Sequence, residues 1–329
     1  QRAEQSHVPE LITVHADEIC IPPAIGPAVV TVGTFDGVHR GHQEILRRMN
    51  SAAQQNEVRT VVTFEPHPQS VIRRDGRGVS ILTDSREKIR LLCAEGISRT
   101  YILQFDQHLA GISAEDFVQE ILLKRLQTTR LVIGYNHSFG HNREGNFEYL
   151  DKNQARFGFV LEVVGPHYLH GEIVSSTRIR RALEGGDVET AKLYLGRPYA
   201  LSGKVVRGAG RGQTLDVPTA NLQVENPAKL IPKIGVYAVQ VAFGAAVYPG
   251  MLAIGTRPTF NEDRLTIEVH LIGFQGDLYD QTLEVRFLKW LRGEERYAGA
   301  HELKIQMGKD REESLRAYEA YQKNPPSQN

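Results

Sequence analysis

His39 and His42 stand three residues apart where a glycine-rich turn runs into a helical pattern, in Gly33-Thr34-Phe35-Asp36-Gly37-Val38-His39-Arg40-Gly41-His42. Both imidazoles can donate hydrogen bonds to phosphate oxygens. Gly33 and Gly37 bracket the turn and Gly41 lies near the start of the helix, so the main chain at Thr34 and Phe35 can approach a ligand closely. A helix N-terminus adds free N–H groups and a dipole that favours anions. These residue types in this order describe a cradle for nucleotide phosphates, whereas two unrelated surface histidines would not need the glycines.

A second phosphate candidate is Val174-Ser175-Ser176-Thr177-Arg178-Ile179-Arg180-Arg181. Ser175, Ser176 and Thr177 can cap a helix while Arg178 reaches phosphate oxygens, although taken alone the segment is equally an ordinary helix cap. Further on, Thr219 and Asn221 of Val217-Pro218-Thr219-Ala220-Asn221 offer neutral oxygens suited to a magnesium ion that already carries ATP phosphates, or form a plain turn. Gly208 and Gly210 belong to Gly208-Ala209-Gly210-Arg211-Gly212, which misses GxGxxG because Gln213 fills the sixth place. No GxxxxGK(S/T) occurs, so both common nucleotide loops are absent. His137 and His141, interrupted by Gly140, make a poor metal pair.

The elements that must hold these residues follow from hydrophobic periodicity. Val29–Val32 reads as a buried strand, 41–55 as a helix, 59–64 as a strand, and Thr83 as the cap of a helix ending before Gly96. Strands at 100–103, 130–133 and 160–164 alternate with helices after Ser113 and Gly145. That alternation predicts a parallel sheet with helices on both faces, whose sites lie beyond the carboxyl ends of its strands. Gly185-Gly186-Asp187 closes one helix and caps another over 188–195. From Ala200 the runs 201–206, 236–243, 247–254, 266–271 and 283–287 are separated by Gly and Pro, as in a small antiparallel barrel. A final amphipathic helix covers 300–323, with Leu303, Ile305, Leu315, Tyr318 and Tyr321 among its contacts, before a frayed tail.

Composition bounds the partners. The 329 residues suit two domains, and 41% apolar with 24% charged residues is ordinary for a globular chain. Lys plus Arg and Asp plus Glu both number 39, so there is no global field for a long polyanion, and nucleic acid is not expected as a partner. Two cysteines outside any metal pattern fit a reducing cytoplasm. The first 28 residues are mixed polar without a signal sequence, and no apolar run is long enough to span a bilayer.

The turn at His39 and His42 is similar to the HxGH motif of the adenylyltransferase superfamily, and 174–181 resembles its second signature, (I/V)SSTxIR. Phe64-Glu65-Pro66-His67-Pro68 and Gly134-Tyr135-Asn136-His137-Ser138-Phe139-Gly140 resemble the FxPHP and G-x-(D/N)-x-x-FG segments of bacterial FAD synthetases. Gly203-Lys204-Val205-Val206, Pro218-Thr219-Ala220-Asn221, Ile254-Gly255-Thr256-Arg257-Pro258-Thr259-Phe260 and Glu268-Val269-His270 follow in order. With Leu291-Arg292, Glu294, Gln306 and Asp310 they resemble the riboflavin kinase domain. The joint resemblance is to bifunctional bacterial riboflavin kinase/FAD synthetase.

That resemblance implies an α/β protein: a Rossmann-like nucleotidyltransferase domain over 1–186, then a small β-barrel kinase domain with its C-terminal helix over 187–329. It implies a cytoplasmic enzyme acting on riboflavin, FMN and ATP with Mg²⁺. Glu268 would be the general base of riboflavin phosphorylation. His39, His42 and Arg178 would stabilise charge in the transfer of AMP to FMN. ATP and its phosphates would lie against Gly33, Thr34, Phe35, Gly37, Gly41, Ser175, Ser176 and Thr177, and in the kinase half against Gly208 and Gly210. Flavin would meet His67, Asn136 and Arg292, and the metal Thr219 and Asn221. The kinase loop departs from the family pattern at Gln213, where it has Arg, and at Asp216, where it has Gly, which would weaken that activity. Two other functions fit the same residues. One is a synthetase whose barrel only holds flavin, the other a nucleotide-sensing regulator, which would not need His39, His42, Ser176 and Arg178 together.

Overall fold

The computed structural model describes residues 10–14, 26–72, 78–141, 144–207, 219–258, 263–295 and 297–324. Two compact units divide between Ser176 and Thr177, ahead of the break read at Gly185-Gly186-Asp187. The first unit contains strands β1 (Glu10–Val14), β2 (Ala28–Val32), β3 (Val58–Glu65), β4 (Arg99–Gln104), β5 (Thr128–Gly134), β6 (Ser138–Phe139), β7 (Gly145–Asn146), β8 (Val160–Val164), β9 (Tyr168–Leu169) and β10 (Glu172–Ile173). Its helices are α1 (Arg40–Ala52), α2 (Pro68–Ile72), α3 (Ser85–Ala94), α4 (Gln107–Gly111), α5 (Ala114–Asp116), a wider i→i+5 helix over Phe117–Arg125, and α6 (Phe147–Phe157).

Six of these strands form one sheet in the order β1-β4-β3-β2-β5-β8, and every neighbouring pair is parallel. All five residues of β2 are buried, which is why it reads as a continuous apolar run rather than an alternating one. Val29, Val61 and Val132 pack with Leu46 and Met49 of α1 and Leu92 of α3. Val30, Val62 and Ile133, on the opposite face, pack with Phe117 and Ile121 of the wide helix and Leu150 of α6. Each fully buried side chain of this size contributes ~1.5–3 kcal/mol, so the two layers clamp β2 firmly. From β2 the chain adds β3 and then β4 on one side, and returns to place β5 on the other. The order of strands therefore reverses between β2 and β5, and the crevice beyond their carboxyl ends is where ligands enter such sheets.

The second unit opens with the body of α7 (Ser176–Gly185), followed by α8 (Val188–Leu195), whose cap is Asp187 as the sequence predicts. Strands β11 (Ala200–Val206), β12 (Ala220–Val224), β13 (Gly235–Phe243), β14 (Ala246–Pro258), β15 (Asp263–Leu271) and β16 (Thr282–Arg292) close a barrel in the order β11-β12-β15-β14-β13-β16. All its pairings are antiparallel. Leu222, Tyr237, Leu252, Ile254, Ile267, Val269, Val285 and Phe287 fill the interior, and the alternate residues face outward. Helix α9 (Ala300–Lys323) has the predicted bounds.

Several expectations are corrected. The cap of α3 is Asp84, whose carboxylate accepts the Glu87 N–H; the hydroxyl of Thr83 is taken by another amide. Ala220–Val224 is a strand, not a turn, because β11 and β15 both pair with it. β1 within the polar N-terminal stretch was not anticipated, and it pairs in parallel with β4. Ile305 is 50% exposed, while the fully covered side chains of α9 are the polar Asp310 and Ser314.

Candidate functional sites

Three of the segments singled out by sequence lie at the carboxyl ends of adjacent strands. The turn from Gly33 follows β2, His67 follows β3, and Asn136 follows Gly134 at the end of β5. In the first of these the backbone is strained. Phe35 at φ 46° and Val38 at φ 38° are both left-handed, a conformation costly for bulky and β-branched residues and kept only where the surroundings enforce it.

Those surroundings are buried and polar. Asp36 is 1% exposed, and its Oδ1 accepts the Leu82 N–H at 2.8 Å and the Thr83 N–H at 3.1 Å. The Gly37 N–H donates to the Thr83 hydroxyl at 3.0 Å, and the Ser176 hydroxyl donates to the Asp36 carbonyl at 2.8 Å. On the β3 side the Thr63 hydroxyl donates to the Thr34 carbonyl at 3.0 Å. Asp36, which sequence reading passed over, is thus the post that holds the turn. Ser175 is half-buried beside Ser176, while Thr177 and Arg178 are exposed in the first turn of α7.

His39 caps α1: its Nδ1 accepts the His42 N–H at 3.3 Å, and the ring is 6% exposed. An accepting Nδ1 puts the proton of a neutral imidazole on Nε2, so Nε2 is the nitrogen with a proton to offer. The two imidazoles stack with centroids 3.7 Å apart and planes 14° apart, and Phe35 lies against His42 at 5.0 Å. A β-carbon at Gly41 would sit 3.2 Å from the His39 ring and press on the stack, which explains glycine there. The chain presents here a tight turn, a helix N-terminus and two orientated imidazoles, a constellation suited to phosphate.

Lys88 is the feature that sequence could not disclose. It is a charged residue on α3 only 8% exposed, and its Nζ donates to the Thr63 hydroxyl at 3.3 Å. Burial holds its pKa below the usual lysine range, and Asp36, Glu65 and Asp84 offset only part of that.

In the second unit Asn221 on β12 and Glu268 on β15 are direct cross-strand partners, and Ala253 on β14 is the next residue in the same row. Opposed residues share a face of the sheet. Glu268 lies between the buried Ile267 and Val269, so this face is the outside of the barrel, and its carboxylate is half-buried rather than enclosed. Thr219 immediately precedes β12. A β-carbon on Gly255 would lie 2.5 Å from Glu294 Oε1, which places a second carboxylate over this outer face. Arg292 binds Asp310 of α9 with two nitrogens: Nε at 3.1 Å and Nη2 at 2.8 Å from Oδ2. Gln306 donates to Asp310 Oδ1 at 2.9 Å. Burial works against the Arg292 charge, but Asp310 raises its pKa overall. Gly208, Gly210, Gln213 and Asp216 lie outside the described residues. Among the described residues no three His, Cys, Asp or Glu side chains gather as a metal cluster. No helix among them is long and apolar enough to cross a membrane.

A strained glycine-bearing turn with two stacked imidazoles at the switch point of a parallel sheet, and an antiparallel barrel with Asn221 and Glu268 paired on its outer face, define a two-part protein of the kind suited to nucleotide chemistry. Comparison with known proteins gives the same division. Residues 22–178 match the FAD synthetase family and residues 195–318 the riboflavin kinase family. The bifunctional riboflavin kinase/FMN adenylyltransferase of Escherichia coli strain K12 is 37% identical over 86% of this chain and 90% of its own length. That of Bacillus subtilis strain 168 is 32% identical over 88% and 92%. A crystal structure from Streptococcus pneumoniae, described as a macrolide-efflux protein, superposes with a TM-score of 0.85 at 29% identity, covering 92% of this chain and 99% of that one. The chain belongs to the bifunctional riboflavin kinase/FMN adenylyltransferase family.

Proposed function

We infer that this chain makes FAD from riboflavin in two ATP-dependent steps, one at each site. The observation that carries the reading is the presence, in one chain, of both sites in order. The strained turn with stacked His39 and His42 lies at the switch point, and the Asn221–Glu268 pair lies on the barrel.

In the barrel the terminal ribityl hydroxyl of riboflavin attacks the γ-phosphorus of ATP, forming FMN and releasing ADP. Glu268 accepts the proton of that hydroxyl as the bond forms. Its place on the outer face, opposite Asn221, lets the carboxylate reach a substrate without opening the apolar interior. Thr219 and Asn221 contribute neutral oxygens, the donor type that suits magnesium, and would hold Mg²⁺. When bound, Mg²⁺ neutralises triphosphate charge. The guanidinium of Arg292 is committed at its edge to Asp310 and lies over the Tyr297 ring, so what it offers flavin is the planar face turned away from that ring.

In the first unit an oxygen of the FMN phosphate attacks the α-phosphorus of ATP, and pyrophosphate leaves. That oxygen is already anionic, so the step needs positioning and charge stabilisation rather than a base. Amides of the turn and the N-terminus of α1 face the phosphates, with His39 Nε2 and His42 as donors. His67 and Asn136, at the ends of β3 and β5, are placed for the flavin. The setting is cytoplasmic.

Riboflavin incubated with the protein, ATP and Mg²⁺ and resolved by chromatography should yield both FMN and FAD. FAD formed only from supplied FMN would restrict the barrel to holding flavin, and neither product would turn the assignment towards a nucleotide sensor.

A further inference from the structure

One buried charge near the turn has no part in the scheme above. Lys88 sits in the first turns of α3, behind its cap Asp84, with its ammonium buried against Thr63. The Thr63 hydroxyl has one proton, and that proton is given to the Thr34 carbonyl at 3.0 Å. The hydroxyl can therefore only accept from Lys88, and the direction of the whole chain is fixed: ammonium to hydroxyl to carbonyl. Successive hydrogen bonds of this kind polarise one another, and the far end here is the peptide group joining Thr34 to Phe35 in the strained part of the turn.

The charge has a second consequence. Burial lowers the pKa of Lys88, and Asp36, Glu65 and Asp84 lie near enough to offset part of that. Each carboxylate has a separate structural task. Asp36 accepts main-chain amides at Leu82 and Thr83, Glu65 accepts the Ser85 hydroxyl, and Asp84 caps α3. Each is tied to its own partner, so its charge stays beside Lys88 when an anionic ligand arrives. Lys88 is placed to offset it.

We propose that Lys88 is a positioning residue for adenylyl transfer, fixing the Thr34 carbonyl through Thr63 and offsetting the carboxylates around it so that the turn accepts ATP. This rests on the reading of that turn as the ATP site for FAD formation. Removing the cation leaves like charges near the triphosphate, and the loss falls on ATP binding more than on the chemical step.

The test uses the full-length chain and FAD formation from supplied FMN at varied ATP, for wild type, Lys88→Met, Asp84→Asn and the double variant. Asparagine caps a helix as well as aspartate does, so Asp84→Asn removes charge and keeps α3 intact. Lys88→Met is expected to raise the KM for ATP by about tenfold with a smaller change in kcat, and riboflavin phosphorylation on the same preparation should stay within about twofold. Adding Asp84→Asn should recover a large part of the loss, which a purely packing role for Lys88 would not allow. An unchanged KM in Lys88→Met overturns the inference, as does a defect that Asp84→Asn leaves untouched. Should Lys88→Met alone be inactive, the double variant decides: regained FAD formation supports the proposal, and none overturns it. Wild-type protein that makes no FAD from FMN removes the reading of the turn itself. Wild-type activity with an indifferent Lys88→Met removes only this step.

Discussion

The turn after β2 and the outer face of the barrel are built from different parts of the peptide. In the proposed site at the turn the groups that would meet phosphate include main-chain amides, and the side chains Asp36, Thr63 and Thr83 lie behind them, buried and hydrogen-bonded to the backbone. On the barrel the backbone is consumed by the ladders on both sides of β12, β14 and β15, so chemistry is left to side chains that project from the sheet. The first kind of site is set by a fold of many fixed contacts, and the second by the register of one strand pair. Damage should therefore spread differently: a site of side chains can be emptied by one substitution, while a site of amides loses one donor among several.

Glu268→Gln is the sharpest way to test that contrast. The amide keeps the size and place of the carboxylate but cannot take a proton, so FMN formation should fall by at least ~100-fold. FAD formation from supplied FMN should persist within about twofold, as expected for independent sites. Separate rate measurements on the two reactions would show it, and a variant retaining most of its kinase rate would take Glu268 out of the mechanism.

His42→Ala gives the complementary result. It removes one donor and one half of the imidazole stack, leaving the amides, His39 and the α1 N-terminus in place. FAD formation should fall on the order of 100-fold, the usual cost of one donor to a developing charge. Riboflavin phosphorylation should be unaffected. Equal losses in both reactions would mean that the substitution unfolds the chain or that the sites are shared, and the comparison drawn above would fail.

How much of this was legible in the sequence also differs between the two regions. The turn announces itself, because glycines and histidines at fixed spacing after a buried strand have few other uses. The bounds of α8 and α9 were readable from Asp187, Gly196 and a 3.6-residue period. The strand β12 was not, since Pro218-Thr219-Ala220-Asn221 has turn composition, and Ala220 and Asn221 join a strand only through neighbours distant in sequence. Thr83 and Asp84 are both good caps, and the choice between them was made elsewhere, by the Gly37 amide taking the threonine hydroxyl. Lys88 is invisible for a similar reason: nothing local distinguishes a buried lysine from an exposed one on a polar helix face. Arg292 could be read as a ligand for flavin, but its bidentate pair with Asp310 depends on where α9 docks.

The smallest effect is expected from separating the two halves. The barrel's own groups (Thr219, Asn221, Glu268, Glu294, Arg292 and Asp310) all lie in the second compact unit. A fragment of residues 187–329 should accordingly phosphorylate riboflavin within about twofold of the full chain. Its stability is another matter, because the end of α7 is tied to this unit. The Lys233 N–H donates to the Leu183 carbonyl at 3.0 Å, and a β-carbon on Gly186 would lie 2.8 Å from the Trp290 ring, so chain before residue 187 packs directly on it. Starting at Asp187 forfeits that hydrogen bond, worth ~1 kcal/mol, and the burial of Leu183, worth ~2 kcal/mol. A fragment beginning at Thr177 retains both. At about 2–4 °C per kcal/mol for a domain of this size, the shorter fragment should melt roughly 6–12 °C below the longer one while both turn over riboflavin. Calorimetry beside an FMN assay separates the two expectations. Equal melting temperatures would make α7 a linker rather than a part of the barrel's support. A folded, flavin-binding fragment that never makes FMN would instead show that the kinase site draws on the first unit, and that the two sites are less independent than their construction suggests.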